Sequence, residues 1–576
     1  MAMPRFRPAP LAAFLFSALL PGLLAGLHLA GLVLFLNPEL PLAAGGLART
    51  GLRFSVPLAL GSLLLHLAVP ALRRAARRLL SLPWTLAAVF AAAAAGAAAN
   101  ASRFAFYLPA GVNDRLLRAA LWLALAALIA FYTALLHSLH GRRYGHRSRA
   151  LYAALVVLSI YAVVERRRAA ELPRVTLPPV TRLTPAPPPQ IVVVTLPTAG
   201  LELLLPLAEQ GQAPFLETLL DGGAVAMLAS PPPYRAAAAG ASLATGKLPF
   251  RHGLLDRRRR GAAPLARGGE LRLLPWGFPS ALWRWSMGRS RPARSDDLLA
   301  LPVWRVLPRL DLRVALVGVP LADPLPPEVR WVVPEEHLEG APEAVTAPPE
   351  LATLAQLFRV APGELDPDLR TRLGAESLAE ALAGDLWRSG LARRLLADRP
   401  ELDLLWVHLP GLATATRETF GGFVAVTQEG RRSARARRAA GQLLAYAAET
   451  DRLLAALWEA MPRGDRLLVV VSPSGVELPG GWERLWGGIA QRPPLHGRVG
   501  GSGSLLLYGA GARDAGRPLA ARAVDLVPTL YYLYGVPVPR DLDGRVLIEL
   551  FPPAFLASRP LAFLPTYETL PPPAGR

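Results

Sequence analysis

The sequence predicts a multi-pass α-helical membrane region followed by an α/β domain with a mostly parallel sheet flanked by helices. Three observations carry this. Apolar residues make up 52% of the 576 residues and charged residues only 18%, where a soluble chain carries about a quarter charged. Long apolar segments crowd into the first 165 residues. Beyond residue 190, short Val/Leu-rich runs alternate with amphipathic stretches, the pattern of strands linked by helices.

Crossing the roughly 30 Å hydrocarbon layer takes about 20 apolar residues in a helix. Segments 10–36, 54–72, 82–99, 116–137 and 150–164 fit that requirement, which sets a membrane domain over 1–165. Pro21 lies in the first, and membrane helices tolerate such a residue. The third is largely alanine, and the fifth is short but rich in Val and Leu. A cleavable signal peptide would have a shorter apolar core than 10–36 and would not be followed by further spans. A soluble bundle would need polar helix faces, which these segments lack.

Charge follows the same division. Residues 1–187 hold 20 Arg against Glu39, Asp114, Glu165 and Glu171; the remainder holds 43 basic and 39 acidic groups. The excess sits among apolar segments, which suits anionic lipid headgroups better than nucleic acid. The partner expected first is therefore the lipid bilayer, and no nucleic acid is expected. With the N-terminus inside, ten inner arginines (Arg5, Arg7, Arg73, Arg74, Arg77, Arg78, Arg142, Arg143, Arg147, Arg149) face eight outer ones (Arg49, Arg53, Arg103, Arg115, Arg118, Arg166, Arg167, Arg168). The arginine bias of short loops thus places the soluble part outside a bacterial-type inner membrane, provided all five segments insert. The chain has no Cys, which excludes disulfides, thiolate metal sites and thiol nucleophiles. Lys247 is the only lysine.

Residues 166–190 form a linker, with seven prolines between 171 and 190, and such a stretch is extended rather than helical. Buried strands are expected at 191–196 (IVVVTL), 313–319 (RVALVGV), 404–409 (LLWVHL), 467–472 (LLVVVS) and 505–508 (LLLY). Helices are expected at 201–220, 378–397 and 438–461. The α/β domain spans 191–551, and a Pro-rich tail, 552–576, is expected to wrap the surface or hang loose. In such sheets ligands bind beyond the carboxyl ends of the strands.

Four segments in order carry a family resemblance: 192–220 with APFLETL at 213–219, ASLATGKLPFRHG at 241–253, PVWRVL at 302–307 with the strand after it, and DLVPTLYYLYGVPVPRDLDGRVL at 525–547. Together they resemble the alkaline phosphatase superfamily, in its branch of type I phosphodiesterases, nucleotide pyrophosphatases and phosphohydrolase/phosphomutase relatives. The resemblance implies two divalent metals, usually zinc, held by about six Asp and His ligands around a Ser or Thr nucleophile. Carried over by position, the first metal Asp falls at Pro197 and the nucleophile at Ala236. The Asp-x-x-x-His pair falls at Ala413 and Arg417, and the Asp-His pair at Pro473 and Ser474. Only His496 has a plausible match to the last His. Prolines and alanines cannot offset the dehydration of a divalent cation, and one His cannot hold zinc. The resemblance therefore implies a scaffold without its chemistry, with no metal cofactor.

What is left points in two directions. Arg235 and Arg417 would lie at the emptied pocket, where two guanidinium groups could take an anionic ligand, or a protein partner could dock. An active phosphodiesterase or phosphotransferase would instead need relocated ligands, drawn from Glu202, Asp256, Asp296, Asp297, Asp403, Glu418 and Glu477. His252 and His408 are expected in structural roles, and residues 257–260 (RRRR) in a solvated loop. No phosphate-binding loop and no Gly-x-Ser-x-Gly elbow opening a helix is present.

Overall fold

A computed structural model describes residues 8–38, 40, 46–68, 81–140, 145–164, 188–261, 270–276, 290–340, 345–430, 433–462, 464–481, 495–513 and 516–568. The chain forms two compact units, one of residues 1–173 with 255–292 and one of 174–254 with 293–576.

The first unit holds helices α1 (Pro8–Phe35), α2 (Gly46–Ala68), α3 (Leu82–Arg103), α4 (Ala110–His140) and α5 (His146–Val164). Among the described residues four helices, α1 to α4, are long and apolar enough to cross a membrane. The fifth expected span lies in α5, whose first turn holds Arg147 and Arg149, and this shortens its apolar stretch. Residues 69–72 of the second expected span lie outside the described residues. α1 and α2 approach closely at two glycines: a Cβ on Gly22 would lie 2.4 Å from the Leu58 carbonyl, and one on Gly26 2.3 Å from Ser55 Cα.

The unit also captures an excursion of the α/β sequence. Residues 257–260 do not form a free loop. β3 (Arg258–Gly261) pairs antiparallel with β4 (Glu270–Leu271) and β5 (Ser290–Pro292). Arg260 is tied to Asp256 at 3.0 Å and Arg291 to Glu270 at 2.7 Å.

The second unit is built on eight strands in the order β13-β2-β12-β9-β1-β8-β6-β7. In chain order these are β1 (Gln190–Thr195), β2 (Ala224–Ala229), β6 (Val314–Val317), β7 (Trp331–Val333), β8 (Leu404–His408), β9 (Arg466–Ser472), β12 (Gly503–Gly509) and β13 (Leu519–Arg522). β12 runs antiparallel to both its neighbours, and the other pairings are parallel. The apolar runs need no polar alternation because both faces are covered. Val192, Val194, Leu405, Val407, Leu468 and Val470 face one core; Ile191, Val193, Leu404, Trp406, Leu467 and Val469 face the other.

The expected helix over 201–220 is two, α6 (Leu201–Glu209) and α7 (Pro214–Gly222). Gly211 turns the chain with φ +68° and Pro214 starts the second helix. The tail is docked through 568. Tyr567 is buried, Thr566 donates to Asp541 at 2.8 Å, and Lys247 bridges Asp541 at 2.7 Å and Glu568 at 2.8 Å.

Candidate functional site

The family positions lie on segments that follow the carboxyl ends of strands, and hydrogen bonds knit several of those segments together. After β1, Pro197 is half-buried and Thr198 takes φ +70°. A β-branched residue in that region is strained by about 1–3 kcal/mol and persists only when its surroundings hold it. The Thr198 hydroxyl lies 2.9 Å from that of Thr416. Thr416 belongs to α10 (Gly411–Thr427), the helix after β8 that carries Ala413 and Arg417; the intervening long helix α9 spans Glu376–Asp398 and precedes β8.

After β9, Ser472 Oγ donates to the Ser474 carbonyl at 2.6 Å and accepts the Ala199 amide at 3.1 Å. Burial raises the Tyr234 pKa. Ser230 donates to the Pro473 carbonyl. Tyr234 and Arg235 lead into α8 (Ala236–Thr245), whose first residue is the exposed Ala236. His496 is exposed, and the next residue, Gly497, donates its amide to the carbonyls of Thr416 and Arg417 at 3.2 and 3.0 Å.

The donor set does not fit a pair of divalent cations. The positions carry Pro197, Ala236, Ala413, Arg417, Pro473 and Ser474, and the neighbouring hydroxyls of Thr198, Thr416 and Ser472 are engaged with one another or with backbone. Among the described residues no group of three His, Asp or Glu is placed to hold a metal ion. Of the two candidate anion binders, Arg417 is exposed and donates back to Thr414 at 3.3 Å. Arg235 is half-buried at the cap of α8.

Of the seven candidate acids, two come together. Glu202, in the first turn of α6, accepts the Val476 amide at 3.0 Å. Its neighbour Glu477 lies in β10 (Val476–Glu477), paired with β11 (Arg498–Val499). Three glycines make room for them. A Cβ on Gly475 would lie 1.6 Å from Glu202 Oε1, one on Gly500 2.7 Å from Glu477 Oε2, and one on Gly501 within 3.5 Å of both residues. Burial of the carboxyl raises the Glu202 pKa, and the charge of Glu477 adds to the rise. The other five serve locally. Asp256 holds Arg260 and Asp297 accepts the Arg294 amide beside Asp296 in a short 3-10 turn. Asp403, before β8, accepts the Arg313 amide; Glu418 accepts from Ser377.

One positioning residue escaped the sequence reading. Asp385 is buried in α9, accepts the Gly411 amide and the Tyr446 hydroxyl at 2.9 Å, and so fixes the start of α10. Burial pushes its pKa up to about 6, against the pull of Arg388. Gly411 admits this arrangement, since a Cβ there would lie 1.8 Å from the Tyr446 oxygen. The signal was present: Asp385 falls on the apolar stripe of Leu378, Leu382 and Ala392. Both histidines expected in structural roles are buried. His252 is fully buried against Ser242, and His408 is buried within β8.

No family model matches the chain, and no curated protein matches it. Solved structures do. Wild-type alkaline phosphatase PafA is similar with TM-score 0.40 and 10% identity, over 64% of this chain and 100% of that one. A phosphonate monoester hydrolase from Silicibacter pomeroyi matches with TM-score 0.35 and 16% identity, over 63% and 76%. A phosphonoacetate hydrolase from Sinorhizobium meliloti matches with TM-score 0.32 and 16% identity, over 53% of this chain and 61% of that one.

Proposed function

We propose that this chain is a membrane-anchored, catalytically inactive relative of the alkaline phosphatase superfamily, and that it acts by binding or scaffolding. The observation that supports this most is the hydroxyl network at the strand ends. The hydroxyls of Thr198 and Thr416 meet at 2.9 Å, and Ser472 bonds the backbone of Ala199 and Ser474, where the superfamily would aim anionic ligands at two metals. The type I phosphodiesterase branch, an extracytoplasmic α/β unit and an anionic or protein partner meeting Arg235 and Arg417 belong to the same reading.

The test is elemental analysis of the purified full chain in detergent, with an assay on a chromogenic phosphodiester in added zinc and manganese. The expected result is metal far below one ion per chain and no turnover. One or two bound ions with turnover would overturn the reading.

The convergence of Glu202 and Glu477 favours a second reading, an active hydrolase using relocated carboxylates. Under it the wild type turns over substrate and Glu202→Gln does not.

A further inference from the structure

The directions of the five helices in the first unit are fixed by their contacts. Gly22 meets Ala59 and Leu27 meets Gly51, so α1 and α2 are antiparallel. His28 faces Phe90 at 6.2 Å, and Asn37 just past α1 and Asn100 near the end of α3 bond Leu273 and Trp276 of one short segment, so α1 and α3 run the same way. Trp84 packs on Phe131 at 5.3 Å across the short 104–109 connection, so α4 runs back. Thr133 bonds Tyr152 at 2.9 Å and His137 bonds Ser148 at 3.0 Å, so α5 reverses again. Asn37 and Asn100 therefore mark one end of the unit and His140 the other.

The excursion is bound at the asparagine end. Asn37, fully buried just past α1, donates to the Leu273 carbonyl at 2.8 Å and accepts the Arg272 and Leu273 amides at 2.8 and 3.0 Å. Asn100, also buried, accepts the Trp276 amide at 2.7 Å. Leu271 and Leu274 pack among Ala30, Val33, Leu34 and Phe54. Residues 272–276 follow α5 in the chain, yet they return to the end that α4 left. The apolar stretch of α5, residues 150–164, covers about 22 Å at 1.5 Å per residue, and Arg147 and Arg149 in its first turn can extend to headgroup level, so the helix crosses a locally thinned hydrocarbon layer.

The composition of the excursion is that of a membrane interface. Residues 255–292 carry nine Arg against Asp256 and Glu270, with Trp276, Trp283 and Trp285. Trp276 is 54% exposed, and the Arg103 guanidinium lies over its ring at 5.0 Å. Arg258 is exposed on β3, one strand from the docked β4. Tryptophan and arginine at the ends of spanning helices sit at headgroup level, where anionic lipid attracts the cations.

We propose that α5 is a fifth membrane crossing and that the excursion is an interfacial anchor on the face opposite the N-terminus, where Arg103, Trp276 and Arg258 engage anionic phospholipid headgroups. This stands independently of whether the α/β unit turns over substrate.

The test uses the full chain in nanodiscs of phosphatidylcholine with a minor share of phosphatidylglycerol, followed by detergent extraction and mass spectrometry of retained lipid. Wild type and an Arg394→Gln control are expected to retain phosphatidylglycerol about fivefold above its bulk share, and Arg103→Gln/Arg258→Gln to lose most of that. Added inorganic phosphate should leave the retention unchanged. No enrichment in wild type, equal retention in the double variant, or displacement by phosphate would each overturn the headgroup assignment. Because the chain is free of cysteine, single Arg258→Cys and His140→Cys variants report the crossing independently of lipid affinity. An impermeant maleimide should label them from opposite faces, and labelling from the same face overturns the fifth crossing.

Discussion

Acid should destabilise the α/β unit through His252. Its ring is fully buried beneath α8. Nδ1 accepts the Leu254 amide at 3.2 Å, which places the ring proton on Nε2, 3.0 Å from Ser242 Oγ. Burial, helped by the charge of Lys247, pushes the pKa down to about 3. The unfolded value is about 6.5. Between those two pH values the unfolded chain binds a proton that the folded chain refuses, so stability falls as pH falls. At about 1.36 kcal/mol per unit, the His252 contribution drops by about 3 kcal/mol between pH 7 and pH 4. His252→Gln keeps a donor for Ser242 but cannot ionise. Urea unfolding of both full chains in detergent, followed by tryptophan fluorescence, isolates the effect. Asp385, whose raised pKa acts in the opposite sense, is common to both chains and cancels. Wild type is expected to be the more stable at pH 7, with the gap shrinking by about 3 kcal/mol at pH 4. A gap independent of pH would refute the neutral, buried histidine.

Two further substitutions probe the long-range ties. Lys247→Met leaves Asp541 and Glu568 without their shared ammonium, at a cost of about 3–5 kcal/mol for breaking a largely buried pair; thermal melting should fall, and limited proteolysis should clip the tail first. Asn37→Leu strands the Arg272 and Leu273 amides and the Leu273 carbonyl, at about 1–3 kcal/mol for each group left buried and unpaired. Trypsin should then cut at Arg272 in intact nanodiscs, where wild type resists.

The strands expected at 191–196, 313–319, 404–409, 467–472 and 505–508 each overlap an observed strand, because a strand covered on both faces needs an unbroken apolar run. The helix expected over 201–220 breaks at Gly211 and Pro214, where local punctuation outweighs the amphipathic period. The arginine run at 257–260 reads as a solvated loop from sequence because its partners, Leu271 and Ser290, are set by strand pairing across the excursion. Glu202 and Glu477 are each legible as candidate acids in the sequence, but their meeting depends on Gly475 and Gly500, far from Glu202 in sequence.

The sequence by itself determined the two-part layout, apolar helices and then a parallel sheet, since periodicity and apolar length act within one segment. It also determined which residue types stand at the strand ends, and so the poverty of metal donors there. The tertiary structure alone decided that residues 270–276 dock on Asn37 and Asn100, that Asp385 sets the start of α10, and that the tail closes on Lys247. Each of these rests on hydrogen bonds or ion pairs between residues 26 to more than 300 positions apart. A buried polar group must find a partner, but its own sequence neighbourhood does not say which one.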